Sequence, residues 1–325
     1  MNIAELQKAE LHCHADGVVD PEMLAELESA GHDLGVGPEA LAATLPVDSF
    51  ESWTQRYCAV LAPALNPVEE RYALFLEIHI RRLKAQRVRH AEIFVNRFLG
   101  VRQDIGEMVD LFAQFRQKLL RAAEPDLRLG LVVCIARGSP EKIARQSQRI
   151  LALWDAGLIC GVALAGDEGP SLVPLRPFFQ NFHHAGLGIE IHAGETRGPE
   201  SVWEAIEHGF AHRIGHAVSA FRDGALMDAI LKRDIHLEFC VSSNLRLGVI
   251  DQPSQHPLRQ ALRLGVPFSL NTDDPGPFQC TMTSECELVE RSFGLTESDF
   301  AKIFSDTLRA SFASRRSTKA KSVEL

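Results

Sequence analysis

The chain lacks the cysteine patterns of disulfide-rich and of cysteine-bound zinc proteins. Its seven cysteines, at positions 13, 58, 134, 160, 240, 280 and 286, include no CxxC pair and no framework spacing. Most of them lie within apolar, strand-like runs, so we expect reduced, buried thiols in a cytoplasmic protein. The first residues have neither the basic nor the apolar segment of a secretory signal, and no apolar run approaches membrane-spanning length.

An excess of positive charge is also missing. The chain has 34 lysines and arginines against 43 aspartates and glutamates, which gives a net charge of -9 at pH 7. This balance provides no electrostatic reason to expect a nucleic acid or an anionic membrane as a partner. The sequence contains no internal repeat, no low-complexity segment and no convincing linker. Its 325 residues allow two domains, but they also suit a single α/β barrel.

What is present is an alternation of β-like and helix-like segments. Eight short β-like runs lie at about residues 9–14, 90–95, 128–135, 158–164, 187–192, 213–217, 235–240 and 266–271. Eight βα units predict a closed (β/α)8 TIM barrel, an α/β fold whose active sites lie at the carboxyl ends of the strands. We expect one barrel domain over residues 1–313 and a disordered polar tail over residues 314–325.

A long helical insertion separates the first two predicted strands. Asp20 is placed to cap a helix that begins at Pro21, and further helices are predicted around residues 48–57 and 68–87. The aromatic residues Phe50, Trp53 and Tyr57 fit two interpretations: an apolar lid on the first βα loop, or ordinary side chains of the core at helical spacing.

Two adjacent carboxylates follow the last predicted strand. The segment Ser269-Leu-Asn-Thr-Asp-Asp-Pro275 ends an apolar run with Asp273 and Asp274, and the proline stops regular pairing. Two ionised carboxylates at this spacing repel each other, so they require a cation or a proton.

Histidines at other strand ends could hold such a cation. Two-residue spacing on the first strand points His12 and His14 to one face, and His192 ends the fifth strand. The carboxyl ends of all eight strands meet at one face of a barrel, so these imidazoles are expected to converge with Asp273. Imidazole and carboxylate ligands suit a divalent, zinc-like ion.

Six segments, taken together, resemble the successive motifs of the adenosine deaminase family. They are His12-x-His14, Leu164-Ala-Gly-Asp-Glu168, His192-Ala-Gly-Glu195, Arg213-Ile-Gly-His216, Ser242-Ser-Asn244 and Ser269-Leu-Asn-Thr-Asp-Asp-Pro275. They occur in the order of the family and cover the chain from about residue 8 to residue 290. The combination of HAGE, RIGH and NTDDP is highly specific, whereas each motif alone is weak.

The resemblance implies one zinc ion per chain, with a water in its open position. The implied ligands are His12, His14, His192 and Asp273. A bridging lysine at the end of the fourth strand is typical of binuclear amidohydrolases, and the run Ile159-Cys-Gly-Val-Ala-Leu-Ala-Gly166 contains none. We therefore expect a mononuclear site.

The resemblance also implies roles around a purine. Glu195 would protonate ring nitrogen N1, and His216 would orient and deprotonate the zinc-bound water. Asp274 would hydrogen-bond N7, the backbone at Gly166 would face N3, and Asp16 would meet the 5′-hydroxyl of the sugar.

The chemistry of deamination agrees with the proton-transfer roles. Attack at C6 moves electron density onto N1, so a desolvated Glu195 is suited to act as the acid there. The imidazole of His216 has the intrinsic pKa that a base needs to accept the proton of the water. Other interpretations stay open: Glu195 as an acid at a helix amino end, and Asp274 as a brace for Asp273. Glu168 is interpreted as structural, with contact to the substrate as its alternative.

The segment around the pocket departs from the common family pattern. Phe94-Val-Asn-Arg-Phe98 stands where many members have Arg-x-Ser-Pro, and Ala217 replaces a glycine after RIGH. Val241 replaces a common proline, and Gln279 stands where glycine is frequent. None of these positions is a predicted ligand, so they bear on the substrate and not on the reaction class.

The expected partner is a small purine, with adenosine or deoxyadenosine favoured because Asp16 needs a hydroxyl to hold. The alternatives are free adenine and an N6-substituted or otherwise modified adenine compound. Two further classes are a mononuclear amidohydrolase of cyclic amides and a purine-binding barrel without catalysis. An acid and a base beside the metal argue against the binding barrel, because binding alone does not need them.

Overall fold

A computed structural model describes residues 1–314 of the chain. Eight parallel strands form one sheet in the order of the sequence, β1 to β8. Their bounds are Lys8–His14, Val88–Val95, Arg128–Ala136, Gly161–Ala165, Gly188–Ala193, Arg213–His216, His236–Phe239 and Phe268–Leu270. All eight predicted strands are confirmed, with boundaries that shift by at most three residues. Most of the predicted tail, residues 315–325, lies outside the described residues.

The sheet closes into a barrel through the segment that follows β8. Cys13 of β1 forms a parallel bridge with Asp273, and the backbone N–H of His14 donates to the carbonyl of Asp273 at 2.8 Å. The N–H of Asp273 in turn donates to the carbonyl of His12 at 3.1 Å. His12, His14 and Asp273 therefore close the barrel and are also predicted metal ligands. Their backbone hydrogen bonds hold them next to each other.

Helices alternate with the strands and cover the barrel. Among the described residues the α-helices α1 to α14 are Pro21–Ser29, Pro38–Ala42, Ala59–Leu61, Val68–Ala85, Ile105–Ala123, Pro140–Asp155, Arg176–Ala185, Pro199–Glu207, Gly224–Lys232, Val241–Arg246, Leu258–Leu264, Pro275–Phe278, Met282–Phe293 and Glu297–Ala310. The (β/α)8 TIM barrel predicted from the sequence is confirmed. None of the helices within residues 1–314 has the length and apolar character needed to cross a bilayer.

The helical insertion between β1 and β2 is confirmed as well. Helix α1 begins at Pro21, and the Asp20 carboxylate caps it by accepting from the backbone N–H of Met23 at 2.7 Å. Tyr57 is fully buried and Trp53 packs against the core, whereas Phe50 is exposed. Tyr57 and Trp53 are thus core aromatics.

The amino end of the barrel is plugged by an aromatic ring. Phe312 is 1% exposed and lies against Gly161 and Gly188, where an added Cβ would come within 2.6 Å and 2.1 Å of its ring. Glycine is required at both positions because any side chain would occupy the space of the ring. The ring of Phe312 therefore fills the barrel interior at this end.

The cysteines behave as the sequence predicts. All seven are free thiols; Cys58 is partly buried and the others are buried.

Candidate active site

Four predicted metal ligands converge at the carboxyl end of the barrel. His12 and His14 come from β1, His192 from β5, and Asp273 lies three residues after β8. One ligand atom from each of the four lies within 4.8 Å of every other. The Nε2 atoms of His14 and His192 are 3.2 Å apart, and Asp273 Oδ1 is 3.4 Å from His12 Nε2 and 3.3 Å from His14 Nε2.

These distances and charges fit a divalent ion. A tetrahedral zinc site with bonds of about 2.0–2.1 Å places its ligand atoms about 3.3 Å from each other, close to the spacing found here. Burial lowers the pKa of His14 and of His192 to about 3, so both imidazoles are neutral and able to coordinate. His12 Nε2 is buried without a hydrogen-bond partner. A metal in this position satisfies all three nitrogens.

Buried glutamates orient two of the ligands from behind. Glu238 Oε2 lies 2.8 Å from His12 Nδ1, and Glu190 Oε1 lies 3.0 Å from His192 Nδ1. Each contact holds the proton on Nδ1 and directs Nε2 toward the centre of the site, as is usual for histidine ligands of zinc. Both glutamates are completely buried. Neither belongs to one of the sequence motifs; Glu190 stands two residues before His192, and Glu238 is the residue before the end of β7.

Asp273 is held in a strained conformation. Its φ is +63°, in the left-handed region that non-glycine residues seldom adopt. Ser243 donates its hydroxyl to Asp273 Oδ2 at 2.7 Å, which leaves Oδ1 facing the histidines. Burial opposes ionisation, but the contacts with His12 and the other histidines lower the pKa of Asp273. The aspartate is therefore an anion fixed in place before a ligand arrives.

Glu195 and His216 meet beside the four ligands. Glu195 Oε1 lies 3.4 Å from His216 Nδ1, and the Asn244 amide is 3.1 Å from both of these atoms. Asn244 is completely buried, so this bridge is shielded from water. Asn244 belongs to the motif Ser242-Ser-Asn244, but its contact with both residues cannot be derived from the sequence.

The protonation states of the pair suit an acid and a base. Burial raises the pKa of Glu195 well above its usual value, and the negative charges of Asp273 and Glu168 raise it further. Burial lowers the pKa of His216 well below its usual value. These opposed shifts favour the protonated form of Glu195 and the neutral form of His216, which suits an acid and a base. His216 also has a positive φ of +63°.

Glu168 anchors the loop that carries Glu195. The backbone N–H groups of Gly194, Glu195 and Thr196 donate to its carboxylate at 2.7, 2.9 and 2.8 Å. Glu168 is 5% exposed. Three backbone donors on one buried carboxylate fix the loop strongly. This contact bears out the structural interpretation of Glu168 and ties the end of β4 to the end of β5.

Asp274 points into the site beside a glycine. It is 5% exposed, and its Oδ1 atom is buried without a hydrogen-bond partner. Burial raises the pKa of Asp274 well above its usual value, and the charges of Asp273 and Asp16 act in the same direction. A Cβ at Gly17 would lie 1.8 Å from Oδ1, so only glycine fits there. A protonated Asp274 could donate a hydrogen bond to an acceptor on a ligand.

Asp16 is engaged by the chain itself. Its Oδ2 accepts hydrogen bonds from Asn96 Nδ2 at 3.0 Å and from Arg97 Nε at 2.9 Å, while Oδ1 is buried without a partner. Both donors belong to the segment after β2 that departs from the family pattern. Gly166, directly after β4, has a φ of +95°, which a residue with a side chain would adopt only with strain.

A family model agrees with the geometry. The adenosine deaminase model matches residues 7–323, nearly the whole chain. The chain belongs to the adenosine deaminase family. The resemblance seen in the motifs is thereby confirmed.

Proteins similar to this adenosine deaminase family member are named as deaminases of different substrates. The chain is 32% identical over 318 residues to an aminodeoxyfutalosine deaminase of Streptomyces coelicolor, covering 95% of this chain and 81% of the relative. It is 31% identical over 315 residues to an adenine deaminase of Rhizobium meliloti, covering 95% of each. The solved structure of an amidohydrolase from Burkholderia ambifaria with bound zinc has the same fold, with a TM-score of 0.76 at 21% identity, covering 99% of this chain and 92% of the other.

Membership of the adenosine deaminase family makes the protein an enzyme. It is a hydrolytic deaminase acting on C–N bonds of amidine-like groups, as the sequence predicted. The interpretations as a cyclic-amide hydrolase and as a binding barrel without catalysis are therefore not retained.

Proposed function

We propose that this deaminase removes the 6-amino group of free adenine or of a modified adenine compound, in preference to adenosine or deoxyadenosine. The observation that carries the proposal is the contact of Asp16 with Asn96 and Arg97. Oδ2 of Asp16 already accepts two hydrogen bonds from the chain itself, which leaves only the buried Oδ1 without a partner.

This proposal reverses the preference derived from the sequence. In the sequence, Asp16 favours a nucleoside substrate because its carboxylate is expected to hold the 5′-hydroxyl of the sugar. The names of the relatives, adenine deaminase and aminodeoxyfutalosine deaminase, also support the alternative better than adenosine.

The metal is proposed to be one zinc ion held by His12, His14, His192 and Asp273. When bound, such an ion supplies Lewis-acid activation of a water at neutral pH. The buried, unpartnered Nε2 of His12 and the close approach of the other ligand atoms support this assignment.

The residues of the chain then divide the proton transfers. Glu195 donates a proton to N1 of the purine as C6 is attacked, which its raised pKa allows. His216 accepts the proton of the attacking water and returns it to the leaving amine, which its lowered pKa allows. Burial raises the pKa of Asp274 and so favours its protonated form, which donates to N7, and the backbone at Gly166 faces N3.

The experiment is a parallel assay of the zinc-loaded enzyme. Adenine, N6-methyladenine, adenosine and deoxyadenosine are compared by ultraviolet absorbance and by release of ammonia or methylamine. We expect kcat/KM for at least one free base to exceed that for adenosine by about tenfold or more, because leaving one buried polar group unpaired costs about 1–3 kcal/mol. Faster conversion of adenosine than of either base would contradict the proposal.

A variant tests the role given to Asp16. Replacing Arg97 by methionine removes one donor from Oδ2 while keeping much of the volume of the side chain. The ratio of kcat/KM for adenosine to that for adenine is expected to rise, because Asp16 becomes available to the sugar. Arg97→Lys keeps the positive charge and serves as the matched control. An unchanged ratio in Arg97→Met would remove Asp16 from substrate selection.

A further inference from the structure

The arginine of the RIGH motif has no part in the proposed proton transfers. Arg213 is the first residue of β6 and is completely buried, as are Glu92 of β2 and Glu238 of β7. Its Nη1 atom donates to Glu92 Oε2 at 2.6 Å, and its Nε atom lies 2.6 Å from Glu238 Oε1. A buried guanidinium needs such carboxylates because it has lost its hydration. The three side chains therefore form one ionic unit inside the barrel.

The two oxygens of Glu238 have different partners. Oε1 faces Arg213, whereas Oε2 lies 2.8 Å from Nδ1 of the predicted ligand His12. A turn of the carboxylate would break both contacts, so Arg213 fixes the orientation in which Glu238 meets the imidazole. Arg213 also donates from Nη2 to the carbonyl of Leu11, the residue before His12, at 3.4 Å. One guanidinium thus holds both the carboxylate that faces His12 and the strand that carries His12.

The ring of His12 has little room to adjust. A Cβ at Gly215, the third residue of the RIGH motif, would lie 2.9 Å from His12 Cε1, and the ring of Phe94 is 4.8 Å away between centroids. His12 itself is completely buried. If Glu238 moved, the confined imidazole could not follow it, and the contact with Nδ1 would be lost. The direction of His12 Nε2 therefore depends on Glu238 staying in place.

The other end of the ionic unit is anchored by residues near the end of the described chain. Glu92 Oε1 accepts from the hydroxyl of Ser311 at 2.8 Å and from the backbone N–H of Ala313 at 2.9 Å. Between these two residues, Phe312 places its ring centroid 3.6 Å from Arg213 Cζ, which is a cation–π contact. The contacts therefore continue from this segment to the metal ligand through three buried side chains, those of Glu92, Arg213 and Glu238.

We infer that Arg213, anchored by Glu92, is a positioning residue for the metal site. It keeps Glu238 against His12, so that Nε2 of His12 points toward the ion before the ion binds. The inference rests on the proposed zinc assignment and is independent of which purine is the substrate. Residues that support a metal ligand in this way typically raise the metal affinity by about 10–100-fold. A purely structural network would instead stabilise the fold and leave the affinity for zinc unchanged.

The test measures zinc affinity in a variant at a distance from the ligands. Glu92→Gln keeps the size of the side chain but removes the charge that anchors Arg213. Competition with a chelator should show a zinc Kd about tenfold higher than that of the parent, at the lower end of the range for supporting residues. The cobalt(II)-loaded variant should also differ from the parent in its visible absorption, because these bands report the geometry of the ligands.

Phe179→Leu is the control for a loss of stability alone. Phe179 is completely buried on α7, where its ring packs against that of Phe182. The smaller side chain leaves a cavity and destabilises the fold, but the zinc Kd and the cobalt spectrum should stay those of the parent. Urea unfolding of both variants shows that each is folded and how much stability each has lost.

A double variant shows whether Glu92 acts through Glu238. Glu238→Gln alone should weaken zinc binding by about tenfold or more, since it replaces the carboxylate that faces Nδ1 of His12. Adding Glu92→Gln to it should change the zinc Kd by less than about twofold, because effects transmitted through one contact are not additive. A further tenfold loss, at about the size seen in the parent background, would mean that Glu92 acts by another route, and the inference would be wrong.

Other results would also overturn the inference. A zinc Kd of Glu92→Gln within about twofold of the parent would show that the ionic unit serves stability alone, while the proposed function stands. If Glu92→Gln does not fold, Ser311→Ala takes its place: it removes one of two donors to Glu92 Oε1, and the zinc Kd should rise about two- to threefold. An unchanged Kd in Ser311→Ala would have the same meaning. If the parent itself binds no zinc, the proposed metal site fails first, and the inference fails with it.

Discussion

The two ends of the barrel interior both contain buried ionisable groups, but they differ in whether these groups have a partner of opposite charge. At the amino end Arg213 lies between Glu92 and Glu238, with contacts of 2.6 Å to each. Its guanidinium also stacks on Phe312, with 3.6 Å to the ring centroid. Glu92 has two further partners, Ser311 Oγ at 2.8 Å and the N–H of Ala313 at 2.9 Å. Although burial opposes ionisation, Arg213 lowers the pKa of Glu92.

At the carboxyl end two buried carboxyl groups have no arginine or lysine partner among the described residues. Glu195 and Asp274 are buried near other acids, and the pKa of each is raised well above its usual value, chiefly by burial. Asp273 and His216 have backbone conformations with positive φ, each of which costs about 1–3 kcal/mol.

The difference shows how one barrel divides stability from chemistry. Paired charges at the amino end hold strands β2, β6 and β7 together around an aromatic plug. Groups at the carboxyl end that lack such a partner are left available to a metal or a substrate, which is the arrangement that active sites favour at the expense of stability. Glu238 connects the two ends, because it contacts both Arg213 and His12.

Arg213→Met is the strongest test of the amino end. The substitution leaves Glu92 and Glu238 buried without their cation, so the free energy of unfolding should fall by about 3–5 kcal/mol. Urea unfolding of the variant measures the loss, and Arg121→Met, at an exposed site on α5, should change the stability by less than about 0.5 kcal/mol. A loss below about 1 kcal/mol would show that the network contributes little.

Glu195→Gln is the corresponding test of the carboxyl end. Turnover should fall by at least about 100-fold, because the amide cannot protonate the purine. The metal content should be retained, and the unfolding midpoint should stay the same or rise, since a buried carboxyl group with acidic neighbours is removed. Steady-state kinetics, metal analysis and denaturation provide the three measurements. Turnover within a few-fold of the parent would exclude Glu195 as the acid.

Gly188→Ala tests the amino end separately, because it disturbs only the packing around Phe312. The new Cβ would lie 2.1 Å from Phe312 Cγ, and the resulting overpacking should cost about 1–3 kcal/mol of stability. Gly224→Ala, at the start of α9 where nothing lies within 4 Å, is the matched control and should be neutral or stabilising. If Gly188→Ala is as stable as the control, Phe312 does not fill the barrel tightly.

The smallest expected effect is a pH dependence from the carboxyl end. Burial raises the pKa of Glu285, which accepts a hydrogen bond from the backbone N–H of Ser242 at the start of α10, to about 7. A carboxyl group with a raised pKa binds its proton more tightly when folded, so its contribution to stability is full below about pH 4.5 and declines as the pH rises through 7.

The measurement is the free energy of unfolding between pH 5 and 7 for the parent and for Glu285→Gln. In the parent, Glu285 should lower the free energy of unfolding by at most about 1.4 kcal/mol per pH unit, the value for one proton. The variant should lack this contribution. Glu297→Gln, an exposed substitution in α14, should keep the slope of the parent. Identical slopes in the parent and Glu285→Gln would show that this group does not titrate in the expected range.

The substrate could not be predicted from the sequence because it depends on contacts between distant loops. Asp16 lies two residues after the predicted ligand His14, yet its partner Arg97 lies 81 residues away beyond another strand end. Glu168 and Asn244 were visible within motifs, but their hydrogen bonds to the loop of Glu195 and to His216 depend on how four separate loops pack.

The sequence by itself determined the barrel and the convergence of its ligands. Alternating strands and helices require a parallel sheet, and a closed parallel sheet brings strand ends to one face, so His12, His14, His192 and Asp273 could be placed together from their positions alone. Those rules follow from backbone geometry, which repeats along the chain. Only the tertiary structure decided which charges are paired and which are left free, because burial and side-chain contacts depend on residues that the chain brings together from distant positions.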